Sequence, residues 1–185
     1  MPYSIKKHQH RFAAWAAGRA ASVKGCRFKV WQGKNLLEDI GLNEVASSIE
    51  NLPQADDFDA MHCEWRKNII NNAQNYKDKQ GDALKFTHGV AAKLINIYLK
   101  SIYVCSGNHN DPRIKVIHPP IDSILLGALY KQNIGDRRED WQAARRVRWS
   151  NLDSNQYQGV ITAIKDIIPD GVGLWQVEKY WRGYQ

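Results

Sequence analysis

FTHGVAAKLINIYLKSIYV (Phe86–Val104) is the stretch that decides how this chain folds. From Lys93 onward, Leu94, Ile95, Ile97, Tyr98, Leu99, Ile102 and Tyr103 leave little polar face, and a helix that is apolar nearly all round belongs inside a protein. The spacing therefore predicts a central helix. Its start has a different character. Thr87-His88-Gly89 turns the chain and leaves the amides of Gly89, Val90 and Ala91 to bind a phosphate oxygen, or to be capped by Thr87 or water. Lys93 lies within the first turn or so, where the positive end of the helix dipole and an apolar setting both disfavour its protonation. A neutral amine is a nucleophile, whereas a lysine that snorkels to water is only a solvated side chain.

Working outward, nearly every periodic segment has helical spacing, which predicts an all-α chain of one domain over residues 1–185. A first helix over about His8–Val23 puts Phe12, Trp15 and Arg19 on one face, with alanines that permit close packing. A short hairpin near Arg27–Trp31 is the one β alternative. Phe58, Met61, Trp65, Ile69 and Tyr76 mark the stripe of a second long helix, entered through acidic residues that suit the dipole. The loop Ser106–Pro112 ends the central helix, and Pro119-Pro120 opens another that carries Ile121, Ile124, Leu125, Ala128 and Leu129. Asp122 falls in its first turn, where the dipole favours a carboxylate and where simple capping also explains an aspartate. A basic helix around Arg137–Trp149, a helix from about Gln156 to Ile168 and a terminal helix Leu174–Trp181 follow.

The composition narrows the setting. A net charge of +7 favours a polyanionic partner, and seven tryptophans with eight tyrosines supply faces that fill cores or stack on bases. Cys26, Cys63 and Cys105 are odd in number and widely spaced, which fits neither a disulfide framework nor a metal cluster. The start lacks a signal-peptide apolar run, and no stretch approaches the roughly 18 apolar residues of a membrane span. A soluble cytoplasmic protein without cofactor, metal or membrane partner is the expectation.

Two motifs, taken together and in order, carry a resemblance to a known family. Gly89-Val90-Ala91-Ala92-Lys93 resembles the Gly-Val-Gly-x-Lys hairpin and lysine of the helix-hairpin-helix DNA glycosylases, and His118-Pro119-Pro120-Ile121-Asp122 resembles their loop ending in Pro-Val/Ile-Asp. The 29-position separation of Lys93 from Asp122 looks most like the archaeal 8-oxoguanine (GO) glycosylase branch. Three features depart from the pattern: Ala91 replaces the second hairpin glycine, Gly81–Phe86 marks the preceding helix poorly, and the cluster cysteines of some relatives are absent.

The resemblance implies a compact helical glycosylase-like fold with a helix-hairpin-helix element, acting as a monomer on double-stranded DNA that carries a modified base. Asp122 would stabilise the oxocarbenium ion or activate water, and Lys93 would be the Schiff-base nucleophile of an accompanying lyase step. The amides of Gly89, Val90 and Ala91 would hold the DNA backbone, with Arg145, Arg146 and Arg148 of the basic helix on further phosphates. A flipped base needs an aromatic pocket, for which Trp15 with Gln9, His10 and Arg19, and Trp175 or Trp181, are the candidates. The archaeal resemblance implies an 8-oxoguanine-like lesion and DNA repair; a bulky cytosine such as the glucosylated hydroxymethylcytosine of phage DNA would imply antiviral defence. The alternatives are a non-catalytic all-α DNA- or RNA-binding module, in which Asp122 only caps a helix, and a helical interaction protein that ignores nucleic acid.

Overall fold

A computed structural model describes residues 3–107 and 109–184, and the chain is all-α. Its helices are α1 (Ile5–Ala21), α2 (Val30–Asp39), α3 (Leu42–Val45), α4 (Phe58–Ala73), α5 (His88–Ile102), α6 (Pro112–Lys115), α7 (Ser123–Lys131), α8 (Arg138–Val147) and α9 (Ser154–Ile167), followed by a 3-10 helix over Leu174–Tyr180. β pairing among the described residues is confined to isolated bridges, Val23 with Cys26 and Lys77 with Ala83. The hairpin considered near Arg27–Trp31 does not form: the bridge lies just before it, at Val23 and Cys26, and Val30 and Trp31 already belong to α2. No helix among the described residues is long and apolar enough to cross a membrane.

The central helix is α5. Thr87 caps it by accepting the amide of Val90 at 3.2 Å, and Val90, Ala91, Leu94, Ile95, Tyr98 and Leu99 are fully buried. Removing one such leucine from water contributes about 1.5–3 kcal/mol. One side of α5 joins Ala17, Leu36, Leu37, Phe58 and Ile69 in a cluster built with α1, α2 and α4, while Ala92 joins Leu125, Leu129, Trp141, Tyr157 and Ile161 of α7, α8 and α9. α1 presents Ala13, Ala14, Ala17, Gly18 and Ala21 inward, small side chains that let two helix backbones approach closely. Phe12 and Trp15 consequently face outward, 59% and 52% exposed.

Two elements at the candidate motifs differ from expectation. The segment 74–87 ahead of α5 is turn and extended chain, so a helix-hairpin-helix element is not shown there. That stretch carries Gly81 at φ 91° and lacks the apolar stripe that would bury a helix. α7 begins at Ser123 rather than at the prolines, and Asp122 is its N-cap, accepting the amides of Ile124 at 3.0 Å and Leu125 at 2.9 Å through Oδ1. Proline fixes its own φ and biases the preceding residue away from helix, which holds the Pro119-Pro120 segment extended until an aspartate starts the turn.

Candidate active site

Lys93 and Asp122 meet. The ammonium nitrogen lies 3.4 Å from Asp122 Oδ2, although 29 positions separate the two residues. Both are largely removed from water, with side chains 10% and 15% exposed. Two indoles complete the enclosure. The Trp149 ring centre is 4.3 Å from Lys93 Nζ, and Trp181 donates its ring N–H to Asp122 Oδ2 at 3.1 Å. Four donors therefore converge on one carboxylate: two backbone amides on Oδ1, and an amine and an indole on Oδ2. Burial pushes the Lys93 amine below the usual lysine range, and the charge and hydrogen bond of Asp122 oppose that shift.

The approach of α5 to the proline loop depends on a residue that sequence reasoning passed over. Asn96 lies one turn beyond Lys93 on the same helix face and is 1% exposed. Its Nδ2 donates to the Pro119 carbonyl and to the Tyr157 hydroxyl, each at 2.9 Å, and its Oδ1 accepts from His62 Nε2 at 2.8 Å. His118 continues the network, with Nδ1 3.1 Å from the Tyr157 hydroxyl and Nε2 3.0 Å from Asp59. Burial lowers the pKa of both histidines, and the hydrogen bond from His118 holds the Asp59 carboxyl well below the usual carboxylate range. An asparagine inside an otherwise apolar helix was the available signal for this hub.

A second pair stands two turns along α5, where Lys100 binds Glu178 of the terminal 3-10 helix. Burial raises the Glu178 pKa, with Lys100 opposing the shift and Asp122 adding to it. Two lysines thus follow one face of α5, each met by a carboxylate from another element.

Next to the pair opens a cleft of about 700 Å³ whose lining includes Lys24, Ser123, Leu126, Arg145, Arg148 and Trp149. Ser123 follows Asp122 in the chain and Trp149 covers Lys93, so the cleft borders the pair through these two residues. Arg145 also stacks on Tyr130 at 4.5 Å, and Arg146 is exposed on α8.

The remaining candidates lie elsewhere or are already occupied. The amides of Gly89, Val90 and Ala91 do not face solvent: they donate to the Leu152 carbonyl, the Thr87 hydroxyl and the Thr87 carbonyl. Thr87 takes the Val90 and Ala91 amides locally and the segment after α8 takes that of Gly89, which closes this phosphate site. His10 bonds Tyr98 at 2.8 Å and Glu38 at 2.9 Å, and with Gln9 it lines a separate cavity of about 470 Å³ beside Asn43 and Tyr103. Trp15 and Arg19 are on the exposed face of α1, because the alanines take the inner one. Trp175 packs edge-on against His109, its ring N–H buried without a hydrogen-bond partner among the described residues. Of the expected aromatic residues only Trp181 touches the pair, and Trp149 joins it without having been anticipated as more than the end of a basic helix.

A buried amine of lowered basicity held beside a carboxylate can act as a nucleophile next to a proton acceptor, or as a neutralised structural pair. Scanned against protein-family models, and searched against curated proteins and solved structures, the chain returns no match in any of the three.

Proposed function

We propose that this protein is a DNA glycosylase that excises a modified base, with Lys93 as nucleophile and Asp122 as its acid–base and electrostatic partner. The observation that carries the proposal is the meeting of Lys93 and Asp122 at 3.4 Å in a site largely closed to water, from two short motifs far apart in the chain. The adjoining cleft supports it, because Lys24, Arg145 and Arg148 give a phosphate-bearing strand a cationic wall.

In the proposed reaction Lys93 first gives a proton to Asp122. The freed Nζ lone pair then bonds to the anomeric carbon as the C1′–N bond breaks. The bonding pair leaves with the base, which takes the proton that Asp122 received from Lys93. The resulting aminal opens its sugar ring to an imine between Lys93 and C1′, from which elimination cleaves the strand and water releases the enzyme. Asp122, a carboxylate again once the base has taken its proton, opposes the positive charge that builds on the sugar. In the monofunctional version water, activated by Asp122, replaces Lys93 as nucleophile and leaves an abasic site. The substrate classes proposed are an 8-oxoguanine-like purine and a bulky modified cytosine.

Duplexes carrying each class of base, incubated with the protein and borohydride, provide the test. A covalent adduct that is lost in Lys93→Ala supports the lyase route; free base without adduct supports the monofunctional one. If neither product forms on either class while Asp122→Asn binds DNA as well as the wild type, catalysis is excluded and a binding module is left.

A further inference from the structure

The position of Trp149 is costly for the backbone, and this is the first sign that its indole has a task. Arg148, immediately before it, adopts φ 69° and ψ 135°, a conformation that a long side chain rarely takes. Gly89 on α5 makes room for the same segment: a Cβ there would stand 1.8 Å from the Trp149 carbonyl oxygen. Three hydrogen bonds then fasten the segment, from the Thr87 hydroxyl to the Ser150 carbonyl at 2.7 Å, from the Gly89 amide to the Leu152 carbonyl at 3.2 Å, and from the Asn151 amide to the Arg148 carbonyl at 2.9 Å. Packing alone does not demand such a backbone, since Trp149 is only half-buried and also lines the cleft. What this arrangement does secure is a π face 4.3 Å from Lys93 Nζ.

We propose that Trp149 is a positioning residue for Lys93, whose indole face holds the amine against Asp122 and favours its ammonium form until substrate enters the adjoining cleft. The negative face of an indole attracts a cation, most strongly where water is scarce. Because Trp149 lines the cleft, a sugar or base entering there meets the residue that restrains the nucleophile. Displacing the ring from Lys93 weakens the attraction that favours the cation and frees the amine for attack. The proposal deepens the glycosylase reading and rests on it for the catalytic consequence, while the effect on Lys93 itself does not require substrate.

The charged groups around Lys93 set the background. Asp122 faces it from the start of α7. On the terminal 3-10 helix Glu178 binds Lys100 rather than Lys93, and beyond it Trp181 offers its N–H to Asp122. Lys24, Arg145 and Arg148 line the cleft bounded by Trp149. α1, α2 and α4 meet α5 through the apolar cluster, with His62 of α4 bonded to Asn96.

The test is a titration of Lys93 in protein labelled with ¹³C at the lysine ε-carbon, its signal assigned by loss in Lys93→Arg. In Trp149→Leu the midpoint is expected to fall by about one pH unit, with Trp149→Tyr and Trp149→Phe falling less because each keeps a ring. Should Trp149→Leu fail to fold, the two ring-retaining variants carry the comparison. A midpoint that stays in place overturns the proposal, and so does one that rises, since a rise means that Trp149 only excludes water. This titration uses no DNA, so it can fail while the borohydride adduct forms, and it can succeed when no adduct is ever trapped.

Discussion

At the scale of single residues, the state of Lys93 follows from the competition between burial and Asp122. Burial disfavours the cation and the carboxylate restores part of it, leaving the amine below its ordinary range. The rate of borohydride trapping is therefore expected to rise with pH along a limb that lies below the roughly 10.4 of a free lysine. Removing the opposing charge in Asp122→Asn should move that limb lower still, although the maximum rate falls; a limb at the free-lysine value would show that Lys93 is not the reacting amine. Asn96 is the second decisive residue. Asn96→Leu leaves His62 Nε2 and the Pro119 carbonyl without their partners in a dry interior, and should cost about 2–4 kcal/mol in chemical denaturation. The aspartate and the lysine were both visible in the sequence as possible chemistry. Their contact was not, because Asn96 sets it through hydrogen bonds to residues from three other parts of the chain.

For whole elements, the start of α5 shows how a motif can be recognisable and yet be used differently. Gly89 reads as part of a phosphate-binding turn, but its missing Cβ accommodates the Trp149 carbonyl and its amide serves Leu152. Gly89→Ala is expected to destabilise the fold by about 3 kcal/mol or more, because the contact is with backbone, which cannot rotate away. Ala91 supplies the contrast. It is fully buried in the core, so Ala91→Gly should cost only about 1 kcal/mol and should leave DNA affinity unchanged, whereas a hairpin short of its second glycine would bind DNA more tightly once supplied with one. α2 was the largest element that periodicity missed. Phe28, Val30 and Trp31 suggest a strand, and Gly33 suggests a break, but a Cβ at Gly33 would come within 2.9 Å of the Phe28 ring. That glycine is a close contact within the core rather than a turn.

Across the whole molecule, the carboxylate of Asp59 ties α4 to His118 of the proline segment and to Gln158 and Lys165 of α9. Its pKa is depressed in the fold, so its stabilisation is fully present above the unfolded value of about 3.9 and is lost as pH falls through the folded one. His62 and His118 behave in the same direction for a different reason: burial keeps them neutral, and stability should begin to fall as pH drops below about 6.5, where the unfolded histidines take up protons. Denaturation curves of the wild type and Asp59→Asn should differ by about 2 kcal/mol at pH 7 and draw together as pH falls below about 4 toward the depressed pKa of Asp59. The cationic cleft yields a separate expectation for the surface. Arg145→Ala should weaken binding to any DNA sequence and lower the slope of log affinity against log salt by about one, the signature of one lost phosphate contact.

By itself the sequence determined the fold class, because a period of about 3.6 residues appears in nearly every apolar segment and α5 is apolar on almost all sides. It also singled out Lys93 and Asp122, since an amine and a carboxylate at helix starts are local features that spacing can reveal. Tertiary structure alone decided that the two touch, that Trp149 and Trp181 enclose them, and that the Gly89 amide is spent on the Leu152 carbonyl. Those outcomes depend on contacts between residues tens of positions apart. Such contacts are fixed by how cores interdigitate and how buried polar groups find partners, and no local pattern records either.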